Sequence, residues 1–77
     1  MIAIHKIEIV RFENDSIVLE IDGEQLKLPL EKLSSKLKSA SDIERNIYKI
    51  SPSGYGIHWP LIDEDLSVEG ILRDFKK

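Results

Sequence analysis

The chain has 77 residues, a formal net charge of −3 and no cysteine. A single domain of this size buries only about 60–65 % of its unfolded surface, with no disulfide to reinforce it and no Cys-ligated zinc site. The acidic balance argues against direct affinity for nucleic acid or anionic lipid, no apolar run reaches a membrane span, and Met1-Ile2-Ala3-Ile4-His5-Lys6 lacks the basic-then-apolar layout of a signal peptide, so a cytoplasmic location is expected.

The first third reads as an antiparallel meander divided by two turns, Asn14-Asp15 and Asp22-Gly23. Asp-Gly between apolar alternations is a strong two-residue hairpin signal, because both turn positions favour positive φ. Two-residue loops at both places align Val10, Leu19 and Leu26 in one row and Phe12, Ile17 and Leu28 in the next, all on one face. A slip of one residue would scatter these side chains to both faces. The opposite face carries Arg11, Val18 and Lys27, then Ile9, Glu20 and Gln25, and is expected to meet water. Ile2 and Ile4 are out of phase with Ile7 and Ile9, which calls for a bulge or an irregular start near His5 and Lys6.

A helix is predicted from about Leu30 to Ser39. Pro29 suits its start, and Leu30, Leu33, Leu37 and Ala40 make an apolar stripe. Lys32, Lys36 and Lys38 fall elsewhere and read as a solvated face rather than a phosphate-binding one. Ser41-Asp42-Ile43-Glu44 is a capping box that opens a short helix ending near Asn46.

A second hairpin follows. Tyr48 and Ile50 alternate on the way out, Pro52-Ser53-Gly54 turns, and Tyr55, Ile57 and Trp59 alternate on the way back, with Tyr55 and Trp59 expected in the core. Pro60 ends the strand and leads into an acidic loop, Asp63-Glu64-Asp65. Ser67 is the N-cap of a last helix, with Leu66 stapled to Ile71. Val68, Ile71, Leu72 and Phe75 form its apolar stripe. Glu69 near its start, and Lys76 and Lys77 near its end, complement the helix dipole. The expected fold is α+β: a two-layer domain over residues 1–77, with a three-stranded meander and a second hairpin packed against two or three short helices.

The segment from Gly54 to Leu72, Gly-Tyr-Gly-Ile-His-Trp-Pro-Leu-Ile-Asp-Glu-Asp-Leu-Ser-Val-Glu-Gly-Ile-Leu, resembles the signature of the bacterial family known as domain of unknown function 2442. Asp22-Gly23 with Leu28-Pro29-Leu30, and the stretch through Ser39-Ala40-Ser41 and Glu44-Arg45, fit the same pattern. The match runs from about Ile7 to Leu72, and the Trp-Pro to Asp-Glu-Asp block is its most specific part. Ile71 stands where many relatives have Leu, a conservative difference. The resemblance implies three strands, helical segments, two more strands and a final helix. It also implies an association with toxin–antitoxin-like gene pairs. Some relatives carry a helix-turn-helix domain, for which 77 residues leave no room.

His58 with Asp63, Glu64 and Asp65 is the one constellation that invites chemistry. Its oxygens could hold Mg²⁺ or Ca²⁺, and His58 could act as a ligand or general base. The calcium-loop spacing is absent, however, and the simpler reading is that one acid favours the following helix start while another holds His58. Gly54-Tyr55-Gly56 lacks the Lys-Ser/Thr of a phosphate loop, and no Gly-x-Ser-x-Gly elbow exists. The leading expectation is therefore a non-enzymatic protein-binding or regulatory module with no cofactor. Its contact surface would include His58, Trp59, Asp63, Glu64 and Asp65, or an exposed strand edge. The expected partner is the protein product of a neighbouring gene, met by a monomer or weak homodimer. A metal-dependent enzyme using His58, or a transcription-linked DNA-binding partner, is the alternative.

Overall fold

The computed structural model describes residues 5–75. The readings for Ile2, Ile4, Lys76 and Lys77 lie outside these. The fold is α+β, with two small antiparallel sheets and four short helices. Strands β1 (Ile7–Glu13), β2 (Ser16–Ile21) and β3 (Glu24–Pro29) form the meander in the order β1-β2-β3.

The register is the one that the turn chemistry dictates. Val10 pairs with Leu19 and Leu19 with Leu26, while Phe12 pairs with Ile17 and Ile17 with Leu28. At the second turn both Asp22 (φ 54°) and Gly23 (φ 84°) adopt the left-handed backbone, and Asn14 does so at the first (φ 53°). The irregularity falls slightly later than expected. Pairing shifts between Ile7 and Ile9, so Glu8 is the extra residue and Ile7 lies opposite Ile21. This puts Ile7 on the same face as the core rows, where it packs against the buried cluster.

The outer face differs from expectation at Val18, which is only 2 % exposed. Its cross-strand neighbours are Arg11 and Lys27. The Glu13 carboxylate receives Arg11 at 2.9 Å and Lys27 at 3.4 Å. Long charged side chains lay their aliphatic stems along a β-branched neighbour while keeping their ends in water, and this shields Val18 without a second layer.

The predicted Leu30–Ser39 helix is two helices, α1 (Leu30–Leu33) and α2 (Ser35–Ser39). Ser34 between them is extended (φ −161°, ψ 112°), and its hydroxyl accepts the Leu37 N–H at 3.1 Å. A serine side chain that captures a backbone N–H offers an alternative to the helical ladder, so the chain restarts instead of continuing. Leu30 and Leu37 still both reach the core. Helix α3 (Asp42–Asn46) opens with the predicted capping box. Glu44 N–H donates to the Ser41 hydroxyl (3.2 Å), and Ser41 N–H donates to the Glu44 carboxylate (2.8 Å).

The second hairpin is part of a three-stranded sheet, β4 (Lys49–Ile50), β5 (Gly56–Trp59) and β6 (Glu64–Ser67), in that order. Helix α4 (Val68–Phe75) follows directly. As predicted, the Ser67 hydroxyl accepts the Gly70 N–H at 3.1 Å, and Leu66 and Ile71 are both buried. The meander's apolar face is covered by the second sheet as well as by helices. Ile57, Trp59 and Leu66 join Leu30, Leu37, Val68 and Ile71 in one buried cluster with Ile17, Leu19, Ile21 and Leu28. No helix among the described residues is long and apolar enough to cross a membrane.

Candidate functional site

The acidic segment is a strand, not a loop. Trp59 pairs with Glu64, His58 with Asp65 and Ile57 with Leu66. The link between β5 and β6 is the four-residue turn 60–63, which Asp63 closes in the left-handed conformation (φ 51°), one that aspartate tolerates better than most residues. Period-2 alternation then separates three consecutive acids into three environments. Asp63 lies exposed in the turn, and its carbonyl accepts the Lys36 ammonium at 3.0 Å. Glu64 is half-buried. One of its carboxylate oxygens accepts the Ser34 hydroxyl, and the other accepts the Asp65 N–H at 2.9 Å. Asp65 faces outward and accepts His58 Nδ1–H at 2.7 Å.

This arrangement explains the His58 partner in the way expected, by a hydrogen-bonded acid. It corrects the other half of that reading, because neither Glu64 nor Asp65 sits at the start of α4. The three acids and His58 do not converge. Among the described residues no group of three or more His, Asp or Glu side chains is placed to hold a metal ion. Trp59 is fully buried, with its indole N–H donating to the Arg45 carbonyl at 2.9 Å, so its ring offers no contact surface.

Tyr55 moves the other way. Expected in the core beside Trp59, it is 45 % exposed. Its backbone still takes part, the Tyr55 carbonyl accepting the Val68 N–H at 2.8 Å, but its side chain lies ahead of β5 and is left half exposed. Ile50, at the open edge of the sheet, is 39 % exposed.

These two residues border a groove of about 550 Å³ at the second sheet, together with Lys49, Pro52, His58 and Asp65. The register gives its origin. Across the three strands, Lys49, His58 and Asp65 form one row, and Gly56 lies opposite Ser67 in the next. Ser51 closes that second row, with its N–H donating to the Gly56 carbonyl at 3.0 Å and its hydroxyl accepting the Gly56 N–H at 3.1 Å. A row of Ser, Gly and Ser carries no large side chain, which leaves a depression bordered by Tyr55 and Pro52, with Ile50 beside it on the edge strand in the row of Ile57 and Leu66. His58 uses Nδ1 on Asp65, which fixes the ring and leaves Nε2 for a visitor.

Two further residues escaped sequence reasoning. Arg45 is buried (9 % exposed), and its guanidinium donates to three backbone carbonyls, of Leu37 (2.9 Å), Lys38 (3.0 Å) and Asn14 (3.1 Å). It also stacks on Phe12, 5.3 Å from the ring centroid, while Phe12 and Trp59 meet edge-on at 6.3 Å. His5 lies between two carboxylates, with Nδ1 2.7 Å from Asp22 and Nε2 3.2 Å from Glu69. The acids lie 17 and 64 residues away along the chain, so no local motif could announce either contact.

Two three-stranded sheets that share one core with four short helices, and a groove over the second sheet, define a small α+β protein. The family model for a protein of unknown function, DUF2442, matches residues 7–77, and the chain belongs to that family. It is also similar to the crystal structure of a protein of unknown function from Rhodospirillum rubrum ATCC 11170, at 26 % identity and a TM-score of 0.70, over 90 % of this chain and 86 % of that one. A comparison with curated proteins finds no match.

Proposed function

We propose that this chain is a non-enzymatic binding module that receives a protein partner in the groove over the second sheet. The observation that carries this reading is a coincidence of place. The exposed apolar side chains Ile50 and Tyr55 border the same depression as the fixed His58–Asp65 pair and Lys49. Exposed aromatic and aliphatic groups beside a few oriented polar ones are the ordinary anatomy of a recognition surface. Of the residues singled out from the sequence, His58 and Asp65 belong to this surface. Asp63 lies in the adjoining turn, Glu64 is engaged with Ser34, and Trp59 supports the sheet from beneath.

The product of a neighbouring gene is the partner that the toxin–antitoxin-like association of relatives points to. The module works as a monomer or weak homodimer. The open edges of the meander, β1 and β3, are guarded by the bulge at Glu8, by Lys27 and by the closing Pro29, devices that discourage edge-to-edge pairing. Copurification of the neighbouring product with the wild-type chain, and its loss in Tyr55→Asp and Ile50→Asp, is the expected result. Both variants should keep a melting transition within about 0.5 kcal/mol of wild type, since neither alters the buried cluster. Retention of the partner by both variants would remove the groove from consideration.

A further inference from the structure

The segment ahead of β1 touches three other parts of the fold. His5 N–H donates to the Ser53 carbonyl in the β4–β5 turn at 3.1 Å. Lys6 N–H donates to the Asp22 carboxylate at 2.9 Å, and Asp22 N–H donates back to the Lys6 carbonyl at 2.8 Å. The His5 ring reaches Asp22 in the β2–β3 turn with one nitrogen and Glu69 on the first turn of α4 with the other. A carboxylate only accepts, and a neutral imidazole has one N–H, so both contacts are made together only by the imidazolium. The ring is 12 % exposed. The backbone is pressed just as closely: Gly54 has φ 69°, and a methyl group in place of its hydrogen would lie 1.9 Å from the His5 carbonyl oxygen.

We propose that His5 is a protonation-dependent latch. As an imidazolium it ties the β2–β3 turn to α4 and holds the N-terminal segment against the β4–β5 turn. On losing its proton it releases one carboxylate and loosens that turn. The β4–β5 turn carries Pro52 and Tyr55, walls of the groove. To the extent that the groove is the binding site proposed above, the latch therefore sets how ordered that site is, and this last step rests on that reading.

The charged groups facing the ring are Asp22 from the β2–β3 turn and Glu69 from α4. Lys6 is the charged neighbour on its own segment, and Ser53 and Gly54 bring no charge. The hydrogen bond to Asp22 most of all, then that to Glu69, raises the His5 pKa above 6.5, against a smaller opposing effect of burial.

NMR on the full-length chain without any partner tests this directly. A ring titration of wild type, Glu69→Gln and His5→Gln would be combined with amide exchange at Ser53, Gly54 and Tyr55, corrected for intrinsic rates. The expected wild-type midpoint for His5 lies above 6.5, falls in Glu69→Gln, and coincides with a loss of protection in the β4–β5 turn. His5→Gln should show the loosened turn at every pH. A wild-type midpoint at or below 6.5, or protection in the turn indifferent to pH, would overturn the latch. If His5→Gln fails to fold, the wild-type and Glu69→Gln titrations still decide. Failure to capture a partner would leave this result untouched.

Discussion

Arg45 is the residue on which most depends. Its guanidinium donates to the Leu37 and Lys38 carbonyls at the end of α2 and to the Asn14 carbonyl in the first hairpin turn, while its own carbonyl receives the Trp59 indole. One side chain thus joins a helix end, a turn and the second sheet. Arg45→Ala leaves three carbonyls without their charged donor and removes the stacking on Phe12. It should lower the unfolding free energy by about 2–4 kcal/mol in urea denaturation. Arg45→Lys should recover only a minority of this, because an ammonium has neither the planar fork nor the stacking face. From sequence, Arg45 reads as a basic residue in a short helix between Glu44 and Asn46, and nothing local marks it as buried. Its partners are main-chain carbonyls, which every residue possesses, so a pattern of side-chain types carries no trace of them. Tyr55 keeps the sequence phase of Ile57 and Trp59, yet it lies one residue ahead of β5 and stays half exposed, which no alternation reveals.

The elements divide by how local their causes are. The meander was legible because two signals agree within a few residues of one another: turn residues that accept positive φ, and apolar side chains in the phase those turns impose. The capping box of α3 and the Ser67 cap of α4 were legible for the same reason. Strand β6 was not, because Glu-Asp-Leu-Ser has one apolar residue and low strand propensity. It is a strand because Ile57 and Trp59 present a ladder to it and Leu66 fills the core, a tertiary effect that outweighs local preference. The break between α1 and α2 is subtler. A Ser-Ser pair is tolerated in many helices, but here the Ser34 hydroxyl has two uses, accepting from Leu37 and donating to Glu64. It therefore links the helical segment to β6. Ser34→Ala should cost about 1–2 kcal/mol, the usual range for losing a cap, and Glu64→Ala in the same background should add less than it does alone. A double-mutant cycle by thermal or urea denaturation measures that coupling; strict additivity would show the two residues to be independent.

At the scale of the whole molecule, two ionisable groups tilt stability in opposite directions. The Glu13 pKa is lowered from its ordinary value, chiefly by the Arg11 hydrogen bond and then by Lys27. A depressed carboxylate contributes stability that is present above its unfolded pKa and lost as pH falls through the folded one. The Glu13 side chain is 39 % exposed and its ion pairs are screened by salt, so this is a minor part of the acid limb. His5 has the opposite sign. Its pKa is raised, so its contribution is fully present below 6.5 and disappears as pH climbs through the higher folded value. The His5 contribution should therefore make stability decline on the alkaline side as the imidazolium loses its proton. Denaturation midpoints measured from pH 4 to 9 should show that decline in wild type. In His5→Gln the alkaline slope should flatten while the acid limb is retained, and in Glu13→Gln the acid limb should soften slightly with the alkaline slope unchanged. Because the two groups sit at opposite ends of the meander and share no partner, the two changes should add in the double variant, and a marked departure from additivity would mean that the ends of the sheet respond to protonation as one unit.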